Sequence, residues 1–129
     1  MERATNILVV AIGGAFGSVL RYLVGLVVQA RGWLAFPWAT LIVNIVGSFL
    51  IMLIVTIGAT ATLSTNVRLF LVTGIMGGLT TYSSFDYETT KLFQEGATMT
   101  AFANVVVTLI ACFAAGLLGI GLARLLAAD

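Results

Sequence analysis

Residues 74–85 read Gly74-Ile75-Met76-Gly77-Gly78-Leu79-Thr80-Thr81-Tyr82-Ser83-Ser84-Phe85 and lie inside a long apolar region. The adjacent glycines lower helix propensity, and the hydroxyl side chains after them compete with the helical ladder for backbone partners. The stretch therefore predicts a helix that is interrupted near its middle. Lipid cannot hydrogen-bond the freed backbone groups, so unwound backbone persists at membrane depth only inside protein or beside a polar cavity. Such an interruption is a candidate ion site.

The composition of the chain is that of an integral membrane protein. Of its 129 residues, 60% are hydrophobic and 9% are charged, whereas soluble domains carry about a quarter charged residues. The net charge of +1 argues against a nucleic-acid partner. With no histidine and one cysteine, Cys112, the usual zinc sites and an intrachain disulfide are excluded. No general acid–base or nucleophile constellation is evident, so we expect no enzyme.

Four apolar segments are each long enough to cross a bilayer. They cover residues 7–29, 37–59, 67–93 and 98–126, with short connections such as residues 60–65, in a single domain of residues 1–129. The predicted fold class is an all-α membrane protein with four transmembrane helices per subunit, the third broken near its middle. Trp33, Phe36 and Trp38 lie where an interfacial aromatic belt would sit.

The distribution of basic residues predicts dual topology. Four spans place both termini on one side of the membrane, where Arg3, Arg68 and Arg124 also fall, while Arg31 and Lys91 fall on the other side. Because the Lys/Arg asymmetry of short loops sets orientation, this near balance predicts insertion both ways round. Dual insertion permits an antiparallel homodimer, which is an inverted-repeat architecture built from two copies.

Polar side chains recur at four-residue spacing in two segments, which places each set on one helix face. The sets are Thr40, Asn44 and Ser48 in the second segment and Asn104, Thr108 and Cys112 in the fourth. Hydrogen bonding between helices is one explanation, and uncharged donors lining an anion path are the other. Small residues are expected to serve close packing: Gly13 and Gly17 at GxxxG spacing, and the ridge Ala111, Ala115 and Gly119.

Charged residues occur within and beside the apolar segments. Arg21 is intramembrane and either faces protein or water or snorkels to an interface. Residues 86–91 are interpreted as the polar end of the third helix reaching water, with Glu88 and Lys91 able to pair at i,i+3. We therefore expect no titratable group inside the membrane that would carry a proton, which favours passive flow over coupled transport.

Residues 77–85 resemble the signature of the Fluc (CrcB) family of fluoride channels, Gly-Gly-x-Thr-Thr-Phe-Ser-x-Phe. Every fixed position matches except Tyr82, where the family usually has phenylalanine. Residues 17–22 (Gly-Ser-Val-Leu-Arg-Tyr) and 44–49 (Asn-Ile-Val-Gly-Ser-Phe) also match. The resemblance therefore covers essentially the whole chain.

The resemblance implies a channel that exports fluoride from the cytoplasm through two pores of an antiparallel homodimer in the bacterial inner membrane. The motif does not decide between a channel and a coupled antiporter; we expect passive electrodiffusion because no proton-carrying group is expected inside the membrane. The fluoride path would be lined by Tyr82, Phe85, Asn44, Asn104, Thr108, Cys112, Thr40, Ser83 and Ser84. Arg21 would border an aqueous vestibule. The carbonyls of Gly77 and Thr80 from both copies would hold a structural Na⁺ on the dimer axis. Whether Tyr82 adds a donor or narrows the path stays open.

Two other functions stay open from the sequence. A proton-coupled small multidrug transporter is also a four-helix, dual-topology dimer, but it requires a carboxylate in its first span, and this chain has no acid between Arg3 and Arg31. A helper subunit of a larger membrane complex would transport nothing by itself. Anion efflux from liposomes that contain the purified protein separates a channel from such a subunit.

Overall fold

The computed structural model describes residues 2–60 and 63–127, and every regular element in these ranges is helical. In chain order the elements are α1 (Glu2–Ala30), α2 (Trp38–Thr60), α3 (Thr65–Arg68), a π-helix (Leu69–Met76), α4 (Gly77–Leu79), α5 (Tyr82–Gln94) and α6 (Thr98–Leu126). We call residues 65–94 the broken segment. Residues 61 and 62, in the predicted connection 60–65, lie outside the described residues.

The helices α1, α2 and α6 are long and apolar enough to cross a membrane, and the chain is an all-α membrane protein. α1 begins at Glu2 rather than at residue 7, whereas α2 and α6 agree with the predicted bounds to within one residue. The third predicted span, residues 67–93, corresponds to the broken segment. Its π-helix has no counterpart in the predictions, because this wide-turned helix is rare and carries no marker in the sequence.

Local signals set the ends of several helices. Gly32 follows α1 with a φ of +70°, and Gly96 follows α5 with a φ of +80°. A residue with a Cβ is strained in this left-handed region, so glycine is favoured at both turns. Ser64 caps α3, since its Oγ accepts from the Val67 N–H at 3.4 Å. The short turns make α1 antiparallel to α2, and α5 antiparallel to α6.

The α1 helix packs against the broken segment through glycines on both sides. A Cβ placed on Gly13 would lie 2.6 Å from the Phe70 carbonyl oxygen, and one on Gly74 would lie 2.8 Å from the Gly13 Cα. A Cβ on Gly17 would overlap the Ile75 carbonyl oxygen. The predicted GxxxG packing face is confirmed, because it brings two helix backbones into direct contact.

The α2 helix packs against α6. In the predicted small-residue ridge, Ala115 and Gly119 are buried and Ala111 is half-buried. A Cβ on Gly119 would overlap the Phe49 carbonyl oxygen. The small residues of α6 therefore let α2 approach closely, as the ridge predicts.

The break in the third span lies near the middle of the membrane-crossing helices. Gly17 is close to the centre of α1, and a Cβ on it would lie 2.7 Å from the Leu79 nitrogen at the end of α4. The extended residues that follow Leu79 are thus held at mid-depth. Freed backbone groups at this depth need protein or a polar cavity around them.

Candidate functional site

The helical path stops at Leu79 and resumes at Tyr82. Between them, Thr80 has a φ of −81° and a ψ of 153°, and Thr81 has a φ of −154° and a ψ of 116°, so both residues are extended. The predicted interruption is confirmed. It falls on the threonines rather than on the glycines before them, because residues 77 and 78 belong to the helical turn α4.

Hydroxyl groups satisfy backbone groups on both sides of the break. The Thr80 Oγ1 donates to the Met76 carbonyl at 2.8 Å. The Thr81 Oγ1 accepts from the Ser84 N–H at 3.1 Å, which makes Thr81 the N-cap of α5. It also donates to the Ser84 Oγ at 3.0 Å. The Thr81 hydroxyl thus replaces the ladder acceptor of the Ser84 N–H, as the run of hydroxyl residues predicts, whereas the Met76 carbonyl also keeps its ladder donor, the Thr80 N–H, at 3.0 Å.

Asn44 on α2 binds the backbone of Thr81 at two points. The Asn44 Oδ1 accepts from the Thr81 N–H at 2.8 Å, and the Asn44 Nδ2 donates to the Thr81 carbonyl at 3.1 Å. The amide nitrogen carries a second hydrogen. Asn44 therefore both supports the break and has donor capacity for another acceptor beside it.

Two backbone N–H groups at the break donate away from the helical ladder. In a continuous helix the Thr81 N–H would donate to the Gly77 carbonyl, and the Ser84 N–H would donate to the Thr80 carbonyl. Here these donors go to the Asn44 Oδ1 and to the Thr81 Oγ1. The carbonyls of Gly77 and Thr80 have therefore lost their ladder donors.

A groove of about 620 Å³ lies between α2 and α6 and is open at the break; we call it the α2–α6 groove. Six of the predicted site residues line it: Asn44, Thr80, Tyr82, Phe85, Thr108 and Cys112. All of its lining side chains are uncharged, and most of them are apolar. Phe85 is buried, whereas Tyr82 is 77% exposed, and their ring centroids lie 5.6 Å apart.

The remaining predicted site residues lie outside the groove; they are Thr40, Asn104, Ser83, Ser84, Gly77 and Arg21. Ser83 and Ser84 lie at the start of α5, with each Oγ within hydrogen-bond distance of the Thr81 Oγ1. Gly77 is exposed, and a Cβ added to it would meet no atom within 4 Å. Arg21 is half-buried on α1, about one turn beyond Gly17.

Asn104 is a buried link between α5 and α6, only 1% exposed. The Asn104 Nδ2 donates to the Thr89 Oγ1 at 2.8 Å, and the Thr89 Oγ1 donates to the Phe85 carbonyl at 2.7 Å. The Thr108 Oγ1 donates to the Asn104 Oδ1 at 3.3 Å. This chain of bonds runs from the groove to the backbone of Phe85. Thr108 must release Asn104 before its hydroxyl hydrogen can serve another acceptor.

Replacing Asn104 with leucine is expected to lower the free energy of unfolding by about 2 kcal/mol, because it removes two buried hydrogen bonds of about 1 kcal/mol each. Thermal unfolding of the purified protein in detergent measures the loss. Asn66 is exposed on α3, so Asn66→Leu serves as the control and should unfold like the wild type. Equal unfolding temperatures for Asn104→Leu and the wild type would contradict the structural role of Asn104.

Glu88 is a residue whose position the sequence interpretation missed. It is half-buried, and its Oε1 accepts from the Thr40 Oγ1 at 2.9 Å. Its Oε2 is buried without a hydrogen-bond partner among the described residues. The predicted pair with Lys91 is wrong, because the Lys91 Nζ lies 3.8 Å from an oxygen of Glu95 instead. The sequence does contain a sign of this inward position: Glu88 follows Phe85 at i,i+3, so the two side chains share one face of the helix.

Aromatic residues gather at the start of α2, as the predicted interfacial belt requires. The ring centroids of Trp33 and Trp38 lie 6.3 Å apart, and those of Phe36 and Trp38 lie 5.0 Å apart. The Arg31 guanidinium lies 5.6 Å from the Trp33 ring centroid, within cation–π distance. These residues lie at and just before the N-terminal end of α2, away from the break.

The chain matches the family model described as CrcB-like protein, Camphor Resistance (CrcB), over residues 8–120. It is 51% identical over 119 residues to a protein of Agrobacterium fabrum named fluoride-specific ion channel FluC, which covers 88% of this chain and 95% of that protein. Two further proteins of the same name are each 45% identical to this chain. The match to the protein of Sorangium cellulosum covers 92% of this chain and 94% of that protein. The match to the protein of Geobacter sulfurreducens covers 93% of this chain and 98% of that protein. On this extent of agreement, the chain belongs to the CrcB family.

Proposed function

We propose that this chain forms a fluoride-selective channel through which F⁻ leaves the cytoplasm by passive electrodiffusion. The observation that carries the proposal is the break at Thr80 and Thr81, which opens onto an uncharged groove containing an amide, hydroxyls and two aromatic rings. The high identity to proteins named fluoride-specific ion channels supports the same ion. The relatives are named as ion channels, and we propose no enzymatic activity for this chain.

Selectivity for fluoride follows from the chemistry of the groove. A small, strongly hydrated anion crosses only if compact donors replace its water, and uncharged donors do this without trapping the ion. Asn44, Thr108 and Cys112 present such groups in the groove. The positive ring edges of Phe85 and Tyr82 add attraction without a full charge. Thr40, Ser83, Ser84 and Asn104 would extend or support this path, and Arg21 would draw anions into its vestibule.

The channel would be an antiparallel homodimer with four spans per copy, including the broken segment. The groove is open on one side, and α1 and α6 expose large apolar side chains such as Phe16, Phe113 and Leu118. A second copy facing the break would close the groove on each side of the central axis. The near balance of basic residues permits the required dual insertion. The assembly would reside in the bacterial cytoplasmic membrane, and the relatives are bacterial.

A structural Na⁺ fits the backbone at the break. The carbonyls of Gly77 and Thr80 have lost their ladder donors, and carbonyl oxygens are suitable ligands for a hard cation. Gly77 also faces open space, so a second copy can approach it. Two antiparallel copies would supply four such carbonyls. When bound on the axis, the cation would supply positive potential near the anion path.

Fluoride efflux from liposomes tests the proposal. Purified protein is reconstituted into vesicles loaded with fluoride or chloride, and a fluoride electrode or chloride electrode records efflux after valinomycin is added. We expect rapid loss of fluoride and negligible loss of chloride. Absence of efflux for both ions would contradict the channel and favour a helper subunit, and equal efflux would contradict selectivity.

Thr108→Val is expected to lower fluoride efflux about tenfold. The change keeps the side-chain shape but removes a groove hydroxyl, and a hydrogen bond to an ion contributes about 1.5–3 kcal/mol, where about 1.4 kcal/mol is a factor of ten in rate. The control is Thr90→Val, because Thr90 is exposed on α5 and outside the groove. Efflux at the wild-type rate from Thr108→Val vesicles would remove Thr108 from the path.

A further inference from the structure

We propose that Asn44 is a positioning residue for the cation site, in addition to its place in the groove: its amide oxygen holds the Thr81 N–H away from the Gly77 carbonyl and so keeps that carbonyl available as a ligand. This inference rests on the proposed sodium site. It links the anion path and the cation site through one side chain. A change at Asn44 should therefore alter sodium binding as well as fluoride transport.

The geometry gives Asn44 control of one particular backbone bond. The Asn44 Oδ1 lies 2.8 Å from the Thr81 nitrogen, and the Asn44 Nδ2 lies 3.1 Å from the Thr81 oxygen. Two bonds to both ends of the same residue fix its orientation as well as its distance. Thr80 is extended, with a ψ of 153°, so the N–H of the next residue, Thr81, cannot at the same time follow the helical ladder to Gly77.

The position of Asn44 is itself set by close packing of α2 on the break. Gly47 is buried three residues after Asn44, and a Cβ placed on it would overlap the Thr80 Cγ2. The missing side chain lets the Thr80 methyl group lie against the α2 backbone. This contact brings α2 near enough for the short Asn44 side chain to reach Thr81.

The two proposed cation ligands depend on different groups. The Ser84 N–H is diverted from the Thr80 carbonyl by the Thr81 hydroxyl, which is local to the N-terminus of α5. The Thr81 N–H is diverted from the Gly77 carbonyl by Asn44, which belongs to another helix. Loss of the Asn44 acceptor should thus affect the Gly77 ligand and leave the Thr80 ligand in place.

The test is the shift in unfolding temperature that sodium causes, since a ligand that binds only the folded state stabilises it. Purified protein is unfolded in detergent with NaCl or with N-methylglucamine chloride at equal ionic strength. For the wild type we expect a higher unfolding temperature in sodium. For Asn44→Leu we expect that shift to be lost, or to require at least about tenfold more sodium; the unfolding temperature without sodium should also fall, because two hydrogen bonds to Thr81 are lost.

Further variants distinguish a positioning role of Asn44 from a general role of its side chain in packing. Asn44→Asp keeps an acceptor oxygen and is expected to retain the sodium shift, although its acidity should abolish fluoride efflux. Thr108→Val changes the groove without touching the break and should also retain the shift. If Asn44→Leu does not fold, Asn44→Ser, whose oxygen is one bond too short to reach Thr81, is measured in its place.

Each outcome has one meaning for the inference. A full sodium shift in Asn44→Leu, or in Asn44→Ser, would overturn it while leaving the proposed sodium site intact. Loss of the shift in Thr108→Val as well would overturn it, because the effect would then not be particular to Asn44. A wild-type protein with no sodium shift would overturn the sodium site itself, whereas fluoride efflux from the same preparation reports separately on the channel.

Discussion

Replacing Phe85 with isoleucine is expected to lower fluoride efflux about a hundredfold while the protein still folds. Phe85 lines the α2–α6 groove, is 8% exposed and lies beside the Tyr82 ring. Its ring edge carries positive charge density that an aliphatic side chain lacks. If this contact is as strong as the strongest hydrogen bonds to an ion, about 3 kcal/mol, its loss corresponds to about a hundredfold in rate.

The measurement is fluoride efflux from vesicles with matched protein content. Phe93→Ile is the control, because Phe93 lies two turns further along α5, is half exposed and does not line the groove. We expect Phe93→Ile to transport at the wild-type rate. If Phe85→Ile did so too, the ring at position 85 would have no part in conduction.

Gly17→Ala is expected to disrupt the packing of α1 on the broken segment and to destabilise the fold by about 3 kcal/mol. The new Cβ would lie 2.7 Å from the Leu79 nitrogen and 3.0 Å from the Gly78 carbonyl carbon, besides overlapping the Ile75 carbonyl oxygen. All three obstacles are backbone atoms. They cannot move aside as a side chain would, so the helices must separate.

Thermal unfolding and size-exclusion chromatography in detergent measure this loss. Gly25→Ala on the same helix is the matched control, because a Cβ there would meet no atom within 4 Å. Alanine is also the better helix former, by about 1 kcal/mol, so Gly25→Ala should unfold at or slightly above the wild-type temperature. Equal stability of the two variants would contradict the glycine contact at Gly17.

Backbone chemistry was enough to predict the broken span, and the observed break at Thr80 and Thr81 falls within the predicted stretch 77–85. The glycine pair and the hydroxyl run both lower helix propensity, yet Gly78 stays helical because it packs against α1, where its Cβ would overlap the Gly14 carbonyl oxygen. The break occurs where Thr80 and Thr81 provide local hydroxyl bonds. Tertiary packing thus decided between two sites that propensity alone left equivalent.

Periodicity also predicted shared faces without predicting what covers them. Asn104 and Thr108 do lie on one face of α6, but α5 covers Asn104 through Thr89, while Thr108 lines the groove. A face is a property of one helix, whereas burial depends on how the helices are rotated against each other. The predictions for this face therefore combined a groove residue with a buried supporting residue.

Glu88 shows the limit of interpreting charge by its place in the chain. Its neighbours Tyr87 and Lys91 are exposed, as expected at a helix end, but Glu88 faces inward and accepts from Thr40 on α2. The sequence favoured passive flow because no titratable group was expected inside the membrane. Glu88 is a partly buried carboxylate bonded to Thr40, a residue of the proposed path, so that argument no longer holds. Passive flow has to be tested with a proton gradient.

The most direct test of the account is the reversal potential of the purified protein in a planar bilayer with unequal fluoride concentrations on the two sides. We predict that it equals the fluoride equilibrium potential and stays there when chloride is added to one side or when a pH gradient is imposed. A reversal potential that moves with chloride or with the pH gradient, or a bilayer with no current, would contradict a passive fluoride-selective channel.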